Sequence, residues 1–127
     1  MKYAIAQINR KPGAIDTNLK FHISMCQLAA DAQADIILFP ELSLTGYDLA
    51  SMNNQAFTKE DERLQSLQNI ADRHNLHIVA GGPLKHDEKV LLASIIMRPG
   101  KSHEVYAKQH LHGGEQQVFD TAVGLNP

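Results

Sequence analysis

The stretch DIILFPELSLTGYDL, residues 35–49, opens as a buried strand and then breaks its own pattern. Ile36, Ile37, Leu38 and Phe39 form a continuous apolar run of strand length. Pro40 ends it, because proline has no N–H to pair and disfavours helix in the residue before it. Glu41 then stands at the mouth of the run, with apolar residues on both sides. A carboxylate in such surroundings has its charged form disfavoured, a setting that suits a general base. An acid opening a short helix would be favourable there too. On position alone the structural role is the simpler reading.

Working outward, residues 3–8 form another apolar run, broken only by Gln7, which reads as a strand covered on both faces. Lys11-Pro12-Gly13 is turn chemistry. Asp16 is expected to cap a helix running to about Ala32, with Leu19, Ile23, Cys26 and Ala30 along its buried face. Thr58 is expected to cap a second helix, about Lys59 to Asn75, buried through Leu64, Leu67, Ile70 and Ala71. Strands follow over Leu76–Gly81, stopped by Gly82-Pro83, over Val90–Met97, and over about 103–108. The tail from Gly113 has weak periodicity. The order β-α-β-α-β-β-β implies an α/β fold whose mixed sheet is parallel at the front and antiparallel at the back. In such sheets function collects beyond the carboxyl ends of parallel strands, where Glu41 stands.

Charge and composition remove several classes. The net charge is -2 over 127 residues, with lysines and arginines scattered and no basic stripe, so no nucleic-acid partner is expected. No apolar run approaches the ~18 residues of a membrane span, and the N-terminal apolar stretch is too short and interrupted for a secretory leader. Cys26, the one cysteine, excludes an internal disulfide and a multi-cysteine zinc site. It lies mid-helix on the apolar face, without the cationic neighbour or helix N-terminus that makes a thiol reactive, so it reads as a core residue. A cytoplasmic protein is expected.

A second stretch, VYAKQHLHGGEQQVF at 105–119, carries polar chemistry. In an extended strand Tyr106, Lys108 and His110 share one face. A lysine there either protects a solvated edge or meets a carboxylate in a cleft, where the pair could move protons and stabilise an oxyanion. His110, His112 and Glu115 could suggest a metal, but the spacing is common by chance and no further ligand is evident, so no metal is expected. The remaining histidines, His22 among them, form no cluster and read as helix, loop or strand-surface residues.

ILFPELSLTGYDL and YAKQHLHGGEQQVF together resemble the segments around the catalytic glutamate and lysine of the nitrilase, or carbon–nitrogen hydrolase, superfamily. The opening YAIAQINRKPGAIDTNLK is similar to that family's first strand, turn and helix, and HIVAGG and ASII fall where it places middle strands. The resemblance implies the first half of an α-β-β-α sandwich, a single partial domain over 1–127, with a mixed sheet and its helices on one face. It implies hydrolysis of a non-peptide C–N bond in a small amide, carbamoyl or nitrile compound by a Glu–Lys–Cys triad, with no cofactor. Glu41 would be the general base, Lys108 the oxyanion stabiliser, and Glu115 a second glutamate orienting lysine and substrate. The loop 47–57, with Tyr47, Asp48, Met52, Asn53 and Asn54, would wall the substrate pocket. The family's nucleophile follows the lysine segment, whereas this chain has no cysteine after Cys26, so the chain alone is expected to be inactive. An uncovered sheet face would favour homo-oligomers. The alternative is a naturally shortened, non-catalytic homologue serving as a binding or assembly module. Delivery of ammonia to a downstream synthetase domain is also compatible with the resemblance.

Overall fold

The computed structural model describes residues 1–121. Five strands form one sheet in the order β1 (Tyr3–Ile5), β2 (Ile36–Leu38), β3 (His77–His86), β4 (Lys89–Met97), β5 (Glu104–Ala107). The pairs β1–β2 and β2–β3 are parallel, and β3–β4 and β4–β5 antiparallel, as the alternation of elements implies. Helix α1 (Ile15–Asp31) connects β1 to β2. A 3₁₀ turn (Leu49–Ser51), the short α2 (Met52–Gln55) and α3 (Glu62–His74) lie between β2 and β3. Both crossovers step the same way along the sheet, so right-handed connection puts α1 and α3 on one face. No helix among the described residues is long and apolar enough to cross a membrane.

The main core lies between that face and the helices. Ile37, Ile78, Ala80, Ile95 and Met97 of the sheet pack with Cys26 and Ala29 of α1 and Leu64, Leu67 and Ala71 of α3. Neither α1 nor α3 lies on the opposite face. At one end it is covered by a smaller core of Leu42, Met52, Val90, Leu92 and Phe119. The rest is open: Tyr3 and Ile5 stand opposite Ile36 and Leu38 in register, and Tyr3 and Ile5 remain 61% and 76% exposed. The expectation that residues 3–8 are covered on both faces is therefore corrected. β1 is three residues long and buries only its helix-facing side.

Four local expectations also change. Asp16 does not cap α1; it lies in the first turn, behind an N-cap at Ala14 that has no side-chain bond. The buried face of α1 is Asn18, His22, Cys26 and Ala29, one residue round from the apolar stripe, because Asn18 and His22 find polar partners inside. Helix α3 is capped by Asp61, not Thr58: the Asp61 carboxylate accepts from the Arg63 N–H. Lastly, Gly82-Pro83 does not stop β3. The Pro83 carbonyl points away from β4 and accepts from the Phe57 N–H at 2.8 Å. Its imide nitrogen thus faces the edge where β2 has already ended, the place a strand tolerates proline.

Candidate active site

The chain returns twice to one edge of the sheet. β2 and β3 run parallel, β4 reverses and β5 reverses again, so the carboxyl ends of β2 and β5 lie at the same edge. Glu41 follows β2 and Lys108 follows β5, whose ladder is extended one residue by the bond from Lys108 N to Leu92 O at 2.7 Å. Residues 67 apart thereby meet: Lys108 Nζ donates to Glu41 Oε1 at 3.0 Å. It also donates to Glu115 Oε1 at 3.2 Å. Glu115 arrives on a 3₁₀ turn (Gly113–Gln117), fixed by the His112 N–H donating to Oε1 at 3.0 Å. All three residues singled out by the sequence are brought together.

A fourth group joins them. The Tyr47 hydroxyl contacts Glu41 Oε2 at 2.5 Å and also Glu115 Oε2. Tyr47 is no mere pocket wall, and the expected loop 47–57 is largely helical, with Met52 fully buried in the smaller core. The apolar pocket expected around Glu41 is corrected too: its side chain is 39% exposed and its polar neighbours are Lys108 and Tyr47. Glu115 is buried, which by itself would raise its carboxyl, but bonds from Tyr47, the His112 N–H and Lys108 outweigh this and hold it below the usual carboxylate range. Lys108 is held above its ordinary value, chiefly by its hydrogen bond to Glu41 and also by Glu115. Burial, then the two carboxylates, push the Tyr47 phenol up.

The turn bearing Glu41 is set from beneath. Leu42 adopts φ 52°, and Gly81 of β3 lies so close that a Cβ there would meet Leu42 N at 2.6 Å and Pro40 O at 2.8 Å. Ser43 Oγ accepts from the Gly81 N–H at 3.0 Å and lies 2.8 Å from His22 Nε2. His22 Nδ1 lies 2.6 Å from the Asn18 carbonyl, which only an N–H can satisfy, so Nε2 accepts the Ser43 hydroxyl. Asn18 ties the Lys11 backbone to the Leu44 carbonyl. Burial lowers His22 to about 4, so the imidazole is neutral at pH 7. His22, which the sequence offered only as an unclustered histidine in the first helix, is thus buried inside this network. No signal of hydrophobic spacing could have found this network, although Asn18 stood in the family-like opening segment.

Cys26 is fully buried in the main core, and burial pushes its thiol up to about 12. Among the described residues no group of three or more His, Cys, Asp or Glu side chains gathers as a metal site requires.

At this edge one lysine is shared by two carboxylates on a mixed α/β sheet. Residues 2–123 match the sequence model of the carbon–nitrogen hydrolases, and the chain belongs to that family. It is 33% identical over 113 residues to a glutamine-dependent NAD(+) synthetase of Thermotoga maritima, covering 85% of this chain and 19% of that protein. It is 34% identical over 80 residues to the 2-oxoglutaramate amidase of Bacillus subtilis, covering 61% and 31%. Among solved structures, a Cys-to-Ala variant of the amidase from Nesterenkonia sp. AN1, in complex with butyramide, superposes with a TM-score of 0.82 at 24% identity, covering 95% of this chain and 48% of that one. The fold is that of the carbon–nitrogen hydrolases. The chain spans less than a third of these curated relatives and about half of the amidase structure.

Proposed function

We propose that Glu41, Lys108 and Glu115 are the acid–base and oxyanion part of a site that hydrolyses a non-peptide C–N bond in a small amide, carbamoyl or nitrile compound. The observation that carries the reading is the single ammonium of Lys108 shared by two carboxylates at 3.0 and 3.2 Å, at the sheet edge where parallel strands end. Glu41 takes the proton of a cysteine thiol, and the thiolate attacks the substrate carbon. Lys108 stabilises the oxyanion that forms, as a fixed charge in a preorganised position. Glu41 then returns its proton to the leaving amine. Glu115, ionised and buried, holds Lys108 in place.

The 127 residues contain one cysteine, and Cys26 is sealed in the core as a protonated thiol. We therefore propose that this chain by itself does not turn over an amide. Ammonia release from butyramide and 2-oxoglutaramate by the purified chain is the test. None is expected, and thiol-dependent turnover would reject the proposal. In any longer product of the same reading frame that carries a further cysteine, Glu41→Gln and Lys108→Ala should each lower kcat at least ~100-fold. Near-normal rates would remove that residue from the mechanism.

The open part of the sheet face opposite α1 and α3 favours a second reading, assembly. Tyr3, Ile5, Leu38 and Tyr106 lie exposed on it, and a patch of this kind marks an interaction surface. We propose that it pairs with a second copy of the chain. Sedimentation at micromolar concentration should give a dimer or larger species, and a monomer would reject this.

A further inference from the structure

The four side chains at the sheet edge form a closed ring whose proton count assigns a task to Tyr47. Each carboxylate gives one oxygen to Lys108 and the other to Tyr47: both Oε1 atoms lie on the Lys108 ammonium, and both Oε2 atoms on the hydroxyl. An ammonium has three protons, so both its contacts have a donor. A phenol has one, and can donate to only one of the two carboxylates. If both were ionised, one contact would set lone pair against lone pair. Every contact has a donor and an acceptor only when one carboxylate carries a proton.

Glu115 is the poorer place for that proton. Its Oε1 already accepts two donors, Lys108 Nζ and the His112 N–H. Glu41 accepts from the Tyr47 and Lys108 side chains, with no backbone N–H donor among the described residues, and lies more open. The other charges near Tyr47 do not alter the count. Arg10, from the loop before α1, lies 6.0 Å over the ring, and the Asp48 carboxylate accepts from Ser51 Oγ at 2.6 Å.

We infer that Tyr47 is a positioning residue whose hydroxyl donates to Glu115 and accepts from Glu41 once Glu41 has taken a proton, so that the ring is complementary to the protonated form of the base. This rests on the proposed role of Glu41. When the thiol S–H bond breaks, an O–H bond forms at Glu41 and the electron pair stays on sulfur. The new O–H turns to Tyr47, which keeps its own proton on the bond to Glu115. On return the O–H bond breaks and an N–H bond forms on the leaving amine. Tyr47 is unchanged throughout, and it steadies the state between the two transfers.

A double-mutant cycle on the 127-residue chain tests this without catalysis. In Glu41→Gln the amide supplies a permanent N–H donor where the protonated carboxyl would supply an O–H. Thermal unfolding at pH 7 should show Glu41→Gln raising the midpoint by about 3 °C or more over the wild type. That gain should fall by at least half when Glu41→Gln is made in a Tyr47→Phe background. Loss of the Lys108 ion pair and relief of carboxylate repulsion occur in both backgrounds, so the cycle removes them. An equal change in both backgrounds, or a lower midpoint in Glu41→Gln, overturns the inference. If Tyr47→Phe does not unfold cooperatively, proton NMR decides. The low-field Tyr47 hydroxyl resonance should persist in Glu41→Gln and be lost in Glu115→Ala, and the reverse pattern overturns the inference. Failure of the proposed hydrolysis would show as absent turnover in a cysteine-bearing longer product, and would leave this cycle unaffected.

Discussion

A single methyl at Gly81 should separate the fold from the site. In Gly81→Ala the new Cβ would lie 2.6 Å from Leu42 N, 2.8 Å from Pro40 O and 3.2 Å from Glu41 C. All three are backbone atoms of the turn that presents Glu41, so no side chain can swing aside. Ordinary contact begins at 3.4 Å, and relieving the closest approach requires roughly 0.8 Å of movement between β3 and the turn. The same two segments share the bonds from Leu44 N to Gly81 O at 2.9 Å and from Gly81 N to Ser43 Oγ at 3.0 Å, which the shift stretches together. Overpacking costs about 1–3 kcal/mol and each weakened bond about 1 kcal/mol, while the stiffer unfolded chain returns about 0.4–1 kcal/mol. The net is about 3 kcal/mol of destabilisation.

Gly82→Ala is the matched control. Its Cβ would lie 3.3 and 3.4 Å from ring carbons of Phe57, within about 0.1 Å of ordinary contact, so its cost should stay within about 1 kcal/mol. Urea unfolding of the two variants beside the wild type measures the difference, and the unfolding midpoint of Gly81→Ala should fall by about 10 °C. Displacement of Glu41 by this distance would also cost a cysteine-bearing longer product on the order of 10²-fold in kcat. Equal stability of Gly81→Ala and Gly82→Ala would refute the claim that the Glu41 turn rests on the Gly81 backbone.

Three further outcomes concern His22, Cys26 and Asp61. The folded chain holds His22 neutral to about pH 4, while the unfolded chain protonates it near 6.5, so the unfolded state binds the extra proton and stability falls as pH drops from 6.5 to 4. The window is worth about 3 kcal/mol, and urea unfolding at pH 7 and 4.5 should show this loss in the wild type and not in His22→Gln. Cys26 should resist iodoacetamide in the folded chain and react only after denaturation; rapid native alkylation, read by intact mass, would contradict its burial. Asp61→Ala should cost about 1 kcal/mol by removing the cap of α3, and the loss should shrink in acid, because the hydrogen bond to Arg63 holds Asp61 below its ordinary value and protonation through that lowered value cancels its contribution.

Glu41 and Lys108 were legible because their placement is decided locally. A strand that ends in Pro40 must release Glu41 at its carboxyl end, and a β-β-β return must bring the end of β5 back to the same edge. The supports beneath them were not legible, because each depends on a close approach between distant segments. In α1 the apolar stripe Leu19, Ile23, Ala30 predicts an inward face, yet Asn18 and His22 turn inward in its place, since the Leu44 carbonyl and the Ser43 hydroxyl wait there. Periodicity counts polarity as outward, and it fails where a polar residue has a buried partner. Gly81 read only as the last residue of a strand, because its purpose, room for another backbone, leaves no local mark.

The residues that periodicity misplaced share one feature, which separates them from the rest of the core. Ile37, Leu64 and Leu67 would stabilise any packing of these helices on this sheet, because apolar burial has no direction. His22 donates through one nitrogen and accepts through the other, and Asn18 bonds two backbone segments at once, so these contacts are satisfied in a single arrangement only. An aliphatic substitute at position 22 could preserve stability while freeing the turn to take more than one position. The polar interior of α1 therefore fixes where Glu41 stands more than it fixes whether the chain folds, and it is built on the one helix face that touches the turn behind the strand.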